Sequence, residues 1–188
     1  YITGFQGGAG YWLFALVTGA ALCGGYVLLG ATWLIYRTEG ALRDKAAAWA
    51  RWGLLWVALG VALVSLGTPL VSETVREKWF SFPRIVFLAA LPAATVAAWF
   101  YVWFSLKKSD IKPFLGAIAI YVLAFAGLAY SLFPYVIIDR MTIWQAAAHE
   151  SSLKFVLVGA LIVLPFIFGY TIYVYRVFGG KTKAGGAY

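Results

Sequence analysis

The sequence predicts an all-α integral membrane protein with five transmembrane helices, and three observations carry that prediction. Of 188 residues, 63% are hydrophobic and only 12% charged, more apolar surface than a soluble domain of this size could hide behind a polar shell. Five runs, residues 1–36, 52–72, 85–106, 113–138 and 155–175, hold no Asp, Glu, Lys, Arg or His. Each exceeds the roughly 20 residues an α-helix needs to cross the hydrocarbon core. The alternating pattern of a membrane β-barrel is absent, and backbone groups in lipid must pair internally, so the runs predict helices.

The expected spans are about 12–36, 50–70, 85–106, 113–134 and 154–177, in a single membrane domain over residues 1–188. Residues 1–10 form an outer loop or N-terminal extension, and 179–188 a Gly-rich cytoplasmic tail. No basic stretch of a signal peptide follows Tyr1. In the first span Ala20-x-x-x-Gly24 and Ala21-x-x-x-Gly25 offer small residues to a neighbouring helix. That span exits at Arg37-Thr38-Glu39-Gly40, where a glycine suits a helix end and Glu39 can pair with Arg37 or Arg43. Pro92 and Pro165 lie inside spans and predict kinks.

Orientation follows from the basic residues. Arg37, Arg43, Lys45, Arg51, Lys107, Lys108, Lys112, Arg176, Lys181 and Lys183 share one side, against Arg76, Lys78, Arg84, Arg140 and Lys154 on the other. The positive-inside rule places the larger set in the cytoplasm, so Tyr1 is outside and Tyr188 inside. Trp12, Trp79 and Trp144 then fall at outer edges, and Trp33, Trp52 and Trp103 at inner edges, as an interfacial aromatic belt. The net charge of +8 is spread in short clusters between apolar runs, which argues against nucleic acid as a partner.

Little in the residues points to chemistry of their own. Ionisable side chains inside spans mark proton relays and ion paths, and the spans have none. A path could still use water, the hydroxyls of Thr32, Ser65, Thr68, Thr95 or Ser131, or a partner's carboxylates. Haem takes His, Met, Cys or Tyr as axial ligand. His149 and Met141, the only His and Met, lie in a loop, and His149 beside Glu150 reads as a solvated residue. Cys23, the single cysteine, reads as a small apolar filler. No disulfide can form within the chain, and no zinc-type Cys/His set is present. Gly7-Gly8-Ala9-Gly10 leads into a span and reads as a loop. Tyr135, Asp139 and Arg140 read as capping and anchoring groups at a helix end. No catalytic, cofactor-binding or metal-ligating residue is assigned.

Four stretches carry a resemblance. They are Gly30-Ala31-Thr32-Trp33-Leu34 with Arg37-Thr38-Glu39-Gly40; Thr68-Pro69-Leu70 with Lys78-Trp79-Phe80-Ser81-Phe82-Pro83; Ser131-Leu132-Phe133-Pro134-Tyr135 followed by Thr142-Ile143-Trp144 and Ser151-Ser152-Leu153; and Tyr173-x-Tyr175-x-x-Phe178-x-Gly180-Lys181. Together, and in this order, they resemble the C-terminal part of subunit II of the cytochrome bd quinol oxidases, the short-loop, cyanide-insensitive branch above all. Where that family often has Pro-rich sequence after F-P-Y, this chain has Ile138-Asp139-Arg140-Met141. The family's subunit has eight spans, and the chain resembles the last five.

The resemblance implies a non-catalytic, haem-free subunit of a quinol:O₂ oxidoreductase in the bacterial inner membrane. The complex oxidises quinol, reduces O₂ to water and generates a membrane potential. Haem b and haem d are expected in the partner, subunit I, with a structural quinone or lipid against this chain left open. Trp33, Thr38, Glu39, Gly40, Pro69, Trp79, Pro83, Pro134, Tyr135 and Trp144 are expected to serve fold and interface. The alternative is a component of a multi-helix transporter or channel, whose mark would be paired polar breaks at mid-membrane.

Overall fold

Helix α1 (Ala9–Arg37) and helix α2 (Ala41–Val71) form a long antiparallel hairpin. A computed structural model of the chain describes residues 9–71, 73–81, 85, 88–108, 110–137 and 140–181. The hairpin turn is built from the residues the sequence marked. Thr38 donates both its backbone N–H and its hydroxyl to the Leu34 carbonyl, at 2.9 and 2.7 Å, which closes the last turn of α1. Gly40 then takes φ +67°, a conformation that costs other L-residues energy. Helix α2 begins at Ala41, about nine residues ahead of the expected span and so about 14 Å longer. That extra stretch is rich in Ala, a strong helix former, and carries Asp44 in its first turn, where the helix dipole favours a negative charge.

Small residues let the two long helices touch closely. A Cβ added at Gly53 would lie 2.9 Å from the Leu28 backbone nitrogen, and one at Gly24 would lie 2.8 Å from Trp56 Cβ. Gly60 meets Ala21 in the same way. The second motif glycine, Gly25, meets the hydroxyl of Tyr121. The small-residue lines of α1 therefore face two neighbours, one on α2 and one on a later helix.

The connection expected after α2 contains a short polar helix, α3 (Glu73–Phe80). Backbone bonds of helical spacing continue beyond it, from Ile85 to Ser81 and from Ala89 to Ile85. The regular helix α4 (Ala90–Ser105) starts only at Ala90. Pro92 explains the interruption, because it has no N–H to offer the Leu88 carbonyl. Helix α5 (Lys112–Leu132) opens with Pro113 in its first turn, where a missing N–H costs nothing. It ends where Phe133 turns extended ahead of Pro134. The core gathers Leu28, Ala31 and Ile35 of α1, Ala46, Ala50 and Leu54 of α2, Val102 and Leu106 at the end of α4, and Ala117 and Ile120 of α5. It lies in the half of this unit nearest the α1–α2 turn.

Contacts divide the chain into two units, one running to Phe133 and the other Pro134–Lys181, where the sequence is read as a single membrane domain. The second unit starts with a two-stranded antiparallel hairpin not anticipated from the sequence, β1 (Tyr135–Ile137) and β2 (Met141–Thr142), with Tyr135 opposite Thr142. A single turn, α6 (Ile143–Ala146), follows, and then the long helix α7 (Glu150–Val177), which contains Pro165 and has no buried residue. Helices α1, α2, α5 and α7 are long and apolar enough to cross a membrane, and α4 is a shorter apolar helix. The chain is an all-α, multi-pass membrane protein of about five spans.

Candidate functional site

The residues singled out in the sequence gather at helix ends. At the α1–α2 turn, Trp33 packs against Phe114 of α5 with ring centroids 5.1 Å apart and against Tyr36 at 5.6 Å. The Arg37 guanidinium lies over the Trp33 ring, 5.2 Å from its centroid. A cation held over an indole face gains from the ring quadrupole, and Arg37 in the last turn of α1 also suits the negative end of that helix. Thr38 is only 7% exposed, while Glu39 and Gly40 are exposed. Arg43 holds Asp110, in the turn before α5, with Nη2 at 2.9 Å and Nε at 3.0 Å. One end of the first unit thus carries a ring, a buried hydroxyl and an ion pair that join α1, α2 and α5.

The opposite end of the unit is tied by α3. Lys78 Nζ donates to the carbonyls of Ser131 and Phe133 at the end of α5, a favourable position for a cation. Trp79 donates its indole N–H to Ser131 Oγ at 2.9 Å and meets the Tyr130 ring edge-on at 6.0 Å. Ser131 Oγ–H in turn donates to the Gly127 carbonyl at 2.8 Å. Trp79 is therefore more than a belt residue, since it fixes α3 on α5. Pro69 lies in the last turn of α2, and Pro83 lies outside the described residues.

In the second unit, the Pro134 carbonyl accepts from Ile143 N–H at 2.8 Å. Tyr135 sits in β1, and Trp144 in α6 is 66% exposed. Thr142 and Gln145 form a reciprocal capping box on α6. Arg140 N–H closes the hairpin turn on Ile137 O at 3.0 Å; Asp139, grouped with Tyr135 and Arg140 from the sequence, lies outside the described residues.

The arrangement suits packing rather than bond-making. The hydroxyls of Thr32, Thr68, Thr95 and Ser131 all donate to the carbonyl four residues back in their own helix, so none points a free donor across the unit. Tyr121 Oη is buried without a hydrogen-bond partner among the described residues, at the point where α5 meets Gly25. His149 caps α7 through Nδ1, which lies 3.0 Å from Ser151 Oγ and accepts from Ser151 N–H at 3.4 Å, at an exposed helix start. Cys23 and Met141 are exposed. Among the described residues no group of three His, Cys, Asp or Glu side chains could hold a metal ion.

Sequence reasoning missed Ser131 as the anchor of Trp79, Asp110 as the partner of Arg43 and Tyr121 as a buried hydroxyl. Ser131 and Trp79 both lay inside quoted motifs, and a motif indole facing a motif serine was the available signal. Nothing in the local sequence links Arg43 to a residue 67 positions away. A family model described as cytochrome bd terminal oxidase subunit II matches residues 1–178, so the chain belongs to that family. No curated protein matches it.

Proposed function

We propose that this member of the cytochrome bd subunit II family is the haem-free partner of a haem-bearing subunit I in a quinol oxidase of the bacterial inner membrane. The family match over residues 1–178 carries the proposal. The placement of its ligand-type residues supports it. His and Met are common axial ligands of haem iron; here the one His caps α7 and the one Met lies in the short strand β2, both outside the long apolar helices. In this proposal the partner holds haem b and haem d, quinol is the substrate of the complex, and electrons pass to O₂ without crossing this chain. The chain holds its partner through apolar helix faces, of which α1, α2 and α5 leave many large side chains exposed within the first unit. The ends bearing Arg37, Arg43, Lys107 and Lys112 face the cytoplasm.

Separating the subunits of the purified complex and assaying haem on each chain tests this role. All haem is expected with the larger partner. Haem b or haem d retained by this chain would overturn the assignment.

A further inference from the structure

At the basic end of the first unit a cleft of about 350 Å³ opens between the start of α2 and the end of α4. Arg43, Ala47 and Arg51 lie at four-residue spacing on one face of α2, and Lys107 closes the cleft from just beyond α4. Ala47 leaves the space between the two arginines, which stand about 12 Å apart along the helix. Leu106 forms an apolar, buried part of the wall. Arg43 is held in place by Asp110. The side chains of Arg51 and Lys107 make no hydrogen bond or ion pair with any described residue. Two cations thus face a concave site with their donors free.

We propose that this cleft binds the phosphate of an anionic phospholipid headgroup. Lys and Arg both serve as phosphate donors, and a basic pocket between membrane helices at the cytoplasmic boundary is a recurrent site for such headgroups. The volume lies within the range of small-molecule sites. Exposed Trp49 and Trp52 on the neighbouring turns of α2 mark the level at which a headgroup sits. That level, with the apolar wall of Leu106, favours a lipid over free phosphate. Asp44 is the one carboxylate on the rim; it is exposed and directs the site away from more highly charged anions. The inference does not rest on the respiratory role.

The test uses the intact membrane assembly containing this chain, in nanodiscs of mixed phosphatidylglycerol, phosphatidylethanolamine and phosphatidylcholine. Native mass spectrometry reads which lipid stays bound. Phosphatidylglycerol is expected to be retained, and each charge removed should weaken it about fivefold, so Arg51→Gln with Lys107→Gln should lose about 25-fold. Lys45→Gln with Lys108→Gln removes two exposed charges that do not line the cleft, and should lose less than about threefold. Equal loss in both pairs would show only a general surface potential and overturn the site. Preferential retention of phosphatidylethanolamine would assign the cleft to a zwitterionic headgroup through Asp44, against the proposal. Displacement of phosphatidylglycerol by millimolar inorganic phosphate would assign it to the free ion. If the double variant fails to assemble, Arg51→Gln and Lys107→Gln are read singly, each expected to lose about fivefold, against Lys45→Gln and Lys108→Gln read singly; equal loss across these again overturns the site.

Discussion

Gly53 and Trp79 show how single residues hold this protein together when the bilayer removes the usual hydrophobic drive between helices. Apolar faces gain nothing by leaving lipid for each other, so close packing and hydrogen bonds carry the association. At Gly53 a methyl group would meet the Leu28 backbone, which cannot swing aside. Gly53→Ala is therefore expected to lower stability by about 1–3 kcal/mol, measured as a drop in the thermal unfolding midpoint in mild detergent. Gly127→Ala, where a Cβ meets nothing within 4 Å, should leave the midpoint unchanged or raise it. Trp79→Phe keeps a ring for Tyr130 and deletes the bond to Ser131, at a cost of about 1 kcal/mol. Asp110→Asn should cost less, under about 1 kcal/mol, because the Arg43 pair is partly exposed.

At the scale of elements, the apolar helices were legible because their composition admits no other structure in lipid. Their ends were less so. The start of α2 is hidden from a charge count, since Arg43, Asp44 and Lys45 read as a loop until the alanines beside them are credited with helix propensity. Helix α3 was hidden for the same reason, as a charged segment too short to show a period. The β1–β2 hairpin rests on two residue pairs, Tyr135 with Thr142 and Ile137 with Met141, with no Asn-Gly or Asp-Gly turn to announce it. Thr142→Ala should remove the capping box of α6 and cost about 1 kcal/mol locally, seen as faster amide exchange at Gln145 and its neighbours. Helix α7 is apolar around its whole circumference, with Phe155 82% exposed. Leu161→Arg, near its middle, should raise the apparent free energy of membrane insertion by about 3 kcal/mol, read by glycosylation of flanking acceptor sites.

For the whole molecule, the class, the approximate number of spans and the family were all readable from composition and four short motifs. The ties between distant segments were not, because Arg43–Asp110 and Lys78–Phe133 depend on how helices are brought together. The roles of Trp33 and Trp79 illustrate the gap. Interfacial spacing explains why an indole stands at a helix end, but only the packed helices show Phe114 and Ser131 as their partners. The orientation derived from the basic residues has its own test. A cysteine replacing Glu77 should react with an impermeant maleimide from outside intact cells, and one replacing Lys108 should not; the reverse pattern would invert the topology.

The central claim is that this chain works as the haem-free subunit of a bd-type oxidase. Its most direct test is a dithionite-reduced minus oxidised visible spectrum of the complex purified from native membranes, with every chain identified by mass spectrometry. The account predicts haem b and haem d bands in a preparation that contains this chain and one larger haem-bearing partner. A homogeneous complex containing this chain but neither haem nor such a partner would contradict it.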